Sequence, residues 1–329
     1  MNDEKKFLSV RDLEVVYTSG RKIVQAVNKV SFDMNKGETL ALVGETGAGK
    51  TTIAKSILGI LPDPPAKLIG GEIWLEVEEL ISMSDAKKLK IKGEKIAMIF
   101  QDPMTALNPL MTVGNQITEG LLLHNDYTKE EAIGKAEEML ELVGIPKARY
   151  AEYPFEFSGG MKQRVVIAMA LACNPVLLLA DEPTTALDVT IQAQVLDLIK
   201  TLRVKHNTSM ILITHDLGVV AETSDNVAVV YAGKIIEYAT KKDLFLSPFH
   251  PYTIGLFNSL PSMTQGQKRL NPIIGSPPDP TCLPTGCSFA PRCPFVTEEC
   301  SKDEIPFVEI AEGHFCRCCN LKQEEKTCH

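Results

Sequence analysis

The chain has 329 residues, 44% of them hydrophobic and 23% charged, with a formal net charge of −8. That length fits one large domain with an appendage or two modest domains, and the composition excludes a disordered, collagen-like or coiled-coil protein. The acidic balance argues against nonspecific coating of nucleic acid, which needs clustered Lys and Arg. Nine cysteines are unevenly placed: Cys173 stands alone and the other eight lie from Cys282 onward. The start, MNDEKKFLSV, has no apolar core of signal-peptide length. No run approaches the roughly 20 apolar residues of a membrane helix. These features predict a cytosolic chain with reduced thiols, whose cysteine-rich tail reads more readily as a metal site than as a disulfide framework.

Residues 9 to 43 are strand-rich, with Val10, Leu13, Val15 and Tyr17 in one run and Val27, Val30 and Phe32 in another. Ser19-Gly20-Arg21-Lys22 predicts the hairpin turn between them. Leu40 to Val43 is a continuous buried-type strand, followed by a glycine-rich loop and the helix-like TTIAKSILGI. The Pro/Gly-rich stretch 61 to 71 predicts a loop. Ile96 to Phe100 predicts another buried strand. Residues 128 to 143 repeat apolar positions at helical spacing, with Thr128 and Glu131 as a capping box and Gly144 and Pro146 as the stop. A helix from about Met161 to Ala172, a strand Val176 to Ala180, a helix Ile191 to Leu202 and a strand Met210 to Thr214 follow. Such alternation predicts a parallel sheet with helices on its faces. Proline and glycine become frequent from about Ser247, which places a boundary near Lys241 to Ser247. Cys173 reads as a small core residue on an apolar helix.

Gly44-Glu45-Thr46-Gly47-Ala48-Gly49-Lys50-Thr51 matches G-x-x-x-x-G-K-[ST] between a buried strand and a helix. Its glycines let successive N–H groups converge on phosphate oxygens, and the helix start adds the positive end of its dipole. Lys50 is predicted to reach the β- and γ-phosphates, and the Thr51 hydroxyl to ligate Mg²⁺. The strand Val176 to Asp181 ends in a carboxylate followed by Glu182. One acid suits Mg²⁺, and the other suits polarisation of an attacking water.

Phe157-Ser158-Gly159-Gly160-Met161-Lys162-Gln163-Arg164 resembles the LSGGQ signature of ATP-binding cassette (ABC) proteins, with Phe157 and Met161 departing from it. Asp181-Glu182-Pro183-Thr184-Thr185-Ala186-Leu187-Asp188 is similar to the acidic strand end and D-loop of that family, His215 to its switch histidine, Gln101 to its Q-loop glutamine and Tyr17 to its adenine-stacking aromatic. Phe100 to Pro109 (FQDPMTALNP), Ala180 to Val195, His250-Pro251-Tyr252-Thr253 and Gly286 to Pro294 (GCSFAPRCP) resemble ATP-binding subunits of dipeptide, oligopeptide and nickel importers.

The resemblance implies an α/β fold: an ABC-type P-loop ATPase domain over 1–245, with a parallel sheet core, an antiparallel β subdomain and a helical subdomain, then a small irregular Cys-rich C-terminal extension over 246–329. It implies ATP bound by Tyr17, Gly44, Thr46, Gly47, Gly49, Lys50, Thr51, Thr52, Gln101, Asp181 and Asp188, with Mg²⁺ on Thr51, Gln101 and Asp181. Ser158, Gly159 and Gly160 would reach the γ-phosphate held by a partner cassette. Glu182 would polarise the water, and His215 and Gln101 would hold the reacting groups in line. The implied activity is an ATPase powering dipeptide or oligopeptide uptake at the cytoplasmic face of the cell membrane. The alternatives are a nickel importer ATPase or a soluble non-transport ABC ATPase. Implied partners are a paralogous ATP-binding subunit as heterodimer, two transmembrane permease subunits and an extracytoplasmic peptide-binding protein, with no nucleic acid.

Cys287, Cys293 and Cys300 are separated by five and six residues, and Cys318 follows after seventeen intervening residues. The family's Gly-His, three residues, Cys pattern selects Cys318 over Cys316 or Cys319. Four thiolates suit a [4Fe–4S] cluster or Zn²⁺; the wide spacing and Cys293-Pro294 favour the cluster. Cys282, Cys316, Cys319 and Cys328 receive no assigned ligand role, although Cys316 or Cys319 could substitute for Cys318.

Overall fold

A computed structural model of the chain describes residues 6–185, 188–259 and 273–320. In chain order its elements are β1 (Leu8–Ser19), β2 (Lys22–Met34), β3 (Thr39–Val43), α1 (Lys50–Leu58), β4 (Ala66–Leu75), β5 (Glu78–Glu79), α2 (Asp85–Glu94), β6 (Ile96–Ile99), α3 (Pro103–Ala106), α4 (Val113–His124) and α5 (Lys129–Leu142). They continue as α6 (Gly159–Leu171), β7 (Leu177–Asp181), α7 (Val189–His206), β8 (Ser209–Ile213), α8 (Leu217–Thr223), β9 (Asn226–Tyr231), β10 (Lys234–Thr240), α9 (Lys241–Leu246), α10 (Pro251–Asn258), β11 (Val308–Ala311) and β12 (His314–Cys316). The chain divides into two units. One is drawn from Met1–Met34, Leu40–Glu78 and Thr214–His329, the other from Asn35–Thr39 and Glu79–Ile213.

In the first unit β1 and β2 form the expected antiparallel hairpin, with Ser19 opposite Lys22. Leu8, Val10, Leu13 and Val15 are buried along β1. The antiparallel sheet runs in the order β2-β1-β4-β5. The stretch expected as loop over 61 to 71 is therefore strand from Ala66 onward. The reason is a close crossing. Gly71 has φ +100°, and a Cβ there would lie 2.6 Å from Leu13 Cα. Here glycine marks the approach of β1, where its register shifts, rather than a turn.

A second sheet portion of this unit runs β11-β12-β10-β9-β3. β3 and β9 are parallel, and the pairings from β9 outward are antiparallel. All five residues of β3 are buried, Leu40 to Val43 as their unbroken apolar run predicted and Thr39 in addition. One core cluster joins Val43, Val229, Tyr231 and Ile236 to Tyr252 and Phe289. The tail strand β12 is fixed by Glu237, which is 0% exposed. The Glu237 carboxylate accepts the Phe249 and His250 N–H groups at 2.7 and 2.9 Å, and His314 Nε2 lies 2.8 Å from it. Three partners make burial of this carboxylate tolerable.

In the second unit β6, β7 and β8 are parallel. β6 stops at Ile99, leaving Phe100 outside the strand and 38% exposed. β7 and β8 each lie one residue from the expected bounds. α5 carries the predicted capping box, with Thr128 and Glu131 bonded reciprocally. α6 begins two residues before the expected start, because Ser158 supplies an N-cap. α4, α5 and α6 pack on one another. Cys173 lies beyond the end of α6 rather than on it, and its half-buried thiol donates to the Gly120 carbonyl at 3.6 Å. Among the described residues no helix is long and apolar enough to cross a membrane.

Candidate functional site: a phosphate cradle and an acidic strand end

The phosphate loop belongs to the first unit. β3 ends at Val43, and Gly44 turns the chain at φ +148°; a Cβ there would lie 2.1 Å from the Val230 carbonyl oxygen. Only glycine lets the loop pass so close to β9. Gly49 caps α1 at φ +105°, where a Cβ would meet the Ala26 carbonyl at 2.4 Å. Thr46 and Gly47 are exposed at the tip. The buried Lys50 ammonium donates to the Gly44 and Glu45 carbonyls at 2.7 and 2.9 Å. This arc around a cation, at the start of a nine-residue helix, is chemically suited to a polyphosphate. Thr51 and Thr52 occupy the first turn of α1, and the Tyr17 hydroxyl from β1 lies 3.4 Å from Thr52 Oγ1. His215 belongs to the same unit, exposed just before α8, whose N-cap is Asp216.

The second unit carries the remaining predicted residues. Asp181 ends β7 and is 4% exposed. Glu182 follows in a left-handed conformation at φ +46°, which costs a non-glycine residue of order 1–2 kcal/mol. Its carboxylate accepts from Gln101 Nε2 at 3.0 Å and from Thr185 Oγ1 at 2.8 Å. The structure thus unites Gln101 and Glu182, and adds Thr185, a residue of the D-loop motif to which the sequence assigns no role. Ser158 accepts the Met161 N–H as the N-cap of α6, while Gly159 and Gly160 form its first turn. The buried Gln163 on α6 donates to the Pro183 carbonyl at 2.7 Å, tying the signature helix to the acidic strand end. Asp188 caps α7 by accepting the Ile191 N–H. Ala186 and Leu187 of the D-loop stretch lie outside the described residues.

Cys287, Cys293, Cys300, Cys316, Cys318 and Cys319 share one neighbourhood. Burial pushes Cys318 up to about 11, and Cys287, Cys293 and Cys300 act on it electrostatically. Burial also raises the Cys287 and Cys293 thiols. The thiol that donates to Cys300 Sγ, at 3.3 Å, is that of Cys319, the allowed substitute for Cys318. Among the described residues no group of three or more His, Cys, Asp or Glu side chains is arranged to hold a metal ion. The expected set of Cys287, Cys293, Cys300 and Cys318 is therefore gathered but not disposed as a ligand cage. Cys282 is exposed, Cys316 is buried within β12, and Cys328 lies outside the described residues.

Two residues quoted in motifs without a role, Tyr252 and Arg292, touch the phosphate loop. Tyr252 Oη accepts the Glu45 N–H at 2.9 Å, and Arg292 grips the Glu45 carboxylate. Their only sequence signal is membership of the HPYT and RCP segments.

Comparison with known proteins shows the family. The family described as ABC transporter matches residues 27–185, and that described as oligopeptide/dipeptide transporter, C-terminal region, matches residues 236–300. The chain is 49% identical to the oligopeptide transport ATP-binding protein AppD of Bacillus subtilis, over 96% of this chain and 97% of that protein. It is 54% identical to the dipeptide transport ATP-binding protein DppD of Bacillus subtilis, over 88% and 87%. Among solved structures, the dimeric ATP-binding cassette MJ0796 in a post-hydrolysis state with ADP and Pi matches with a TM-score of 0.65 at 27% identity, covering 71% of this chain and 98% of that one. The chain is an ATPase and belongs to the ABC transporter ATP-binding proteins, in the branch that carries the oligopeptide/dipeptide transporter C-terminal region.

Proposed function

We propose that the chain hydrolyses ATP to power uptake of dipeptides or oligopeptides through a membrane importer. The observation that carries this is the joining in one chain of a phosphate cradle with a C-terminal region matching that of oligopeptide/dipeptide transporters. Lys50 and the loop amides would hold the phosphates, with Tyr17 against the base. Thr51, Gln101 and the buried Asp181 would offer oxygen donors to Mg²⁺, whose chemistry there would be to offset phosphate charge. Glu182, oriented by Gln101 and Thr185, would polarise the attacking water, and His215 would steady the γ-phosphate end. Ser158, Gly159 and Gly160 would complete the site of a second, paralogous cassette, so that turnover waits on closure.

The remaining partners on this reading are two permease subunits and an extracytoplasmic peptide-binding protein, with the chain peripheral at the cytoplasmic face. The cassette spans 1–245 and the extension 246–329. For the extension we propose that Cys287, Cys293, Cys300 and Cys318 bind [4Fe–4S] in preference to Zn²⁺, supported by their spacing and shared neighbourhood. Anaerobically purified protein is expected to be brown with stoichiometric iron and sulfide. Stoichiometric zinc overturns the cluster, and metal-free protein overturns both. The transport reading is tested in proteoliposomes holding both cassettes, both permeases and the binding protein. ATP-driven uptake of labelled peptide, lost with Glu182→Gln, is expected; uptake of nickel and not peptide overturns the proposal.

A further inference from the structure

Glu45 presents a chemical conflict. It is the second residue of the phosphate loop, so a carboxylate sits at the rim of a cradle built for a highly charged anion. Repulsion between that carboxylate and a triphosphate opposes binding. The structure resolves the conflict from far along the chain. Arg292, on the short 3₁₀ turn Ala290–Arg292, meets the Glu45 carboxylate with both terminal nitrogens, at 2.9 and 3.0 Å. The pair is sheltered, with side-chain exposures of 5% for Arg292 and 29% for Glu45.

Arg292 is itself held in place. Its guanidinium donates to the Tyr231 hydroxyl at 3.2 Å and to the carbonyls of Ile274 and Ile273 at 3.2 and 3.4 Å. It lies 5.9 Å from the ring centres of both Tyr231 and Phe289. The Glu45 backbone is gripped as well, its N–H by Tyr252 Oη and its carbonyl by Lys50 Nζ. A fork-to-fork pair fixes orientation as well as charge.

We propose that Arg292 is a positioning residue of the nucleotide site, which neutralises and orients Glu45 so that the phosphate loop receives MgATP without like-charge repulsion. This rests on reading Gly44 to Thr51 as the nucleotide cradle. It assigns the C-terminal extension a direct part in ATP affinity. Because Arg292 acts through Glu45, removing the arginine harms binding only while the carboxylate remains.

The test is binding of a fluorescent ATP analogue with Mg²⁺ to the full chain, together with steady-state ATPase assays. R292Q is expected to raise Kd and KM about tenfold, with kcat within about twofold. The double variant E45Q/R292Q is expected to recover affinity to within about threefold of the parent, a rescue that a general packing defect does not give. Unchanged affinity in R292Q, or weak binding that E45Q does not relieve, overturns the proposal. If R292Q does not fold, R292K and E45Q/R292K take its place, read the same way with a smaller expected loss. Failure of the parent itself to bind MgATP condemns the cradle reading instead.

Discussion

Replacing Phe289 by Ala tests whether the cysteine-bearing extension is part of the core around the phosphate loop. Phe289 is 1% exposed and belongs to the cluster of Val43, Val229 and Tyr231. Its ring lies edge-on to Tyr231 and to Tyr252, each at 5.4 Å, and 5.9 Å from the His250 ring. Removing a buried phenylalanine costs about 3–5 kcal/mol through lost transfer energy and the cavity left behind. Two edge-to-face pairs place this site towards the upper end of that range. For a unit of this size the loss corresponds to a fall in Tm of roughly 6–20 °C. The assay is thermal unfolding of the full chain, followed by circular dichroism, with Phe155→Ala as control. Phe155 is 73% exposed, and its substitution is expected to shift Tm by no more than about 2 °C. A Tm for Phe289→Ala within 2 °C of the parent would refute the reasoning, because a ring that leaves the core without cost was not packed in it.

Glu182→Gln is expected to lower ATP turnover about 100-fold or more while MgATP binding persists; full steady-state hydrolysis would remove Glu182 from its role. Lys50→Ala is expected to weaken MgATP binding at least about tenfold, and unchanged affinity by calorimetry would count against the cradle. Burial lowers the His250 pKa from 6.5 to about 4, against the opposing pull of Glu237. The folded chain therefore binds fewer protons than the unfolded chain between those values. His250 contributes no pH dependence above 6.5, and stability is lost as pH falls from there towards 4, up to roughly 3 kcal/mol. Urea unfolding at stepped pH reads this slope, and a slope that survives His250→Gln assigns it elsewhere. Thr128→Ala is expected to cost about 1 kcal/mol by removing the capping box of α5, read in the urea midpoint; an unchanged midpoint would show the box idle.

Sequence alone determined the parts whose chemistry is contiguous. The loop Gly44 to Thr51, the capping box at Thr128 and the strand ending in Asp181 were legible because backbone shape, cap and charge are encoded within a few residues. The signature helix was legible too, though it begins at Gly159, two residues before the expected start, where the Ser158 cap sets it. The loop predicted over 61 to 71 failed for a related reason. A glycine that admits a crossing strand has the same local signal as one in a turn, and only the nearness of Leu13 to Gly71 separates them.

Tertiary structure alone decided the pairings that span long separations. Arg292 meets Glu45 across 247 positions, and His314 meets Glu237 across 77. Neither residue's own neighbours hint at its partner. It decided that β12 joins β10, that Thr185 shares Glu182 with Gln101, and that Cys319 lies against Cys300. Each of these depends on which surfaces the folded chain brings together. A run of sequence specifies the conformation and chemistry of its own backbone, but the charge or hydroxyl that completes it is chosen only when distant segments pack together.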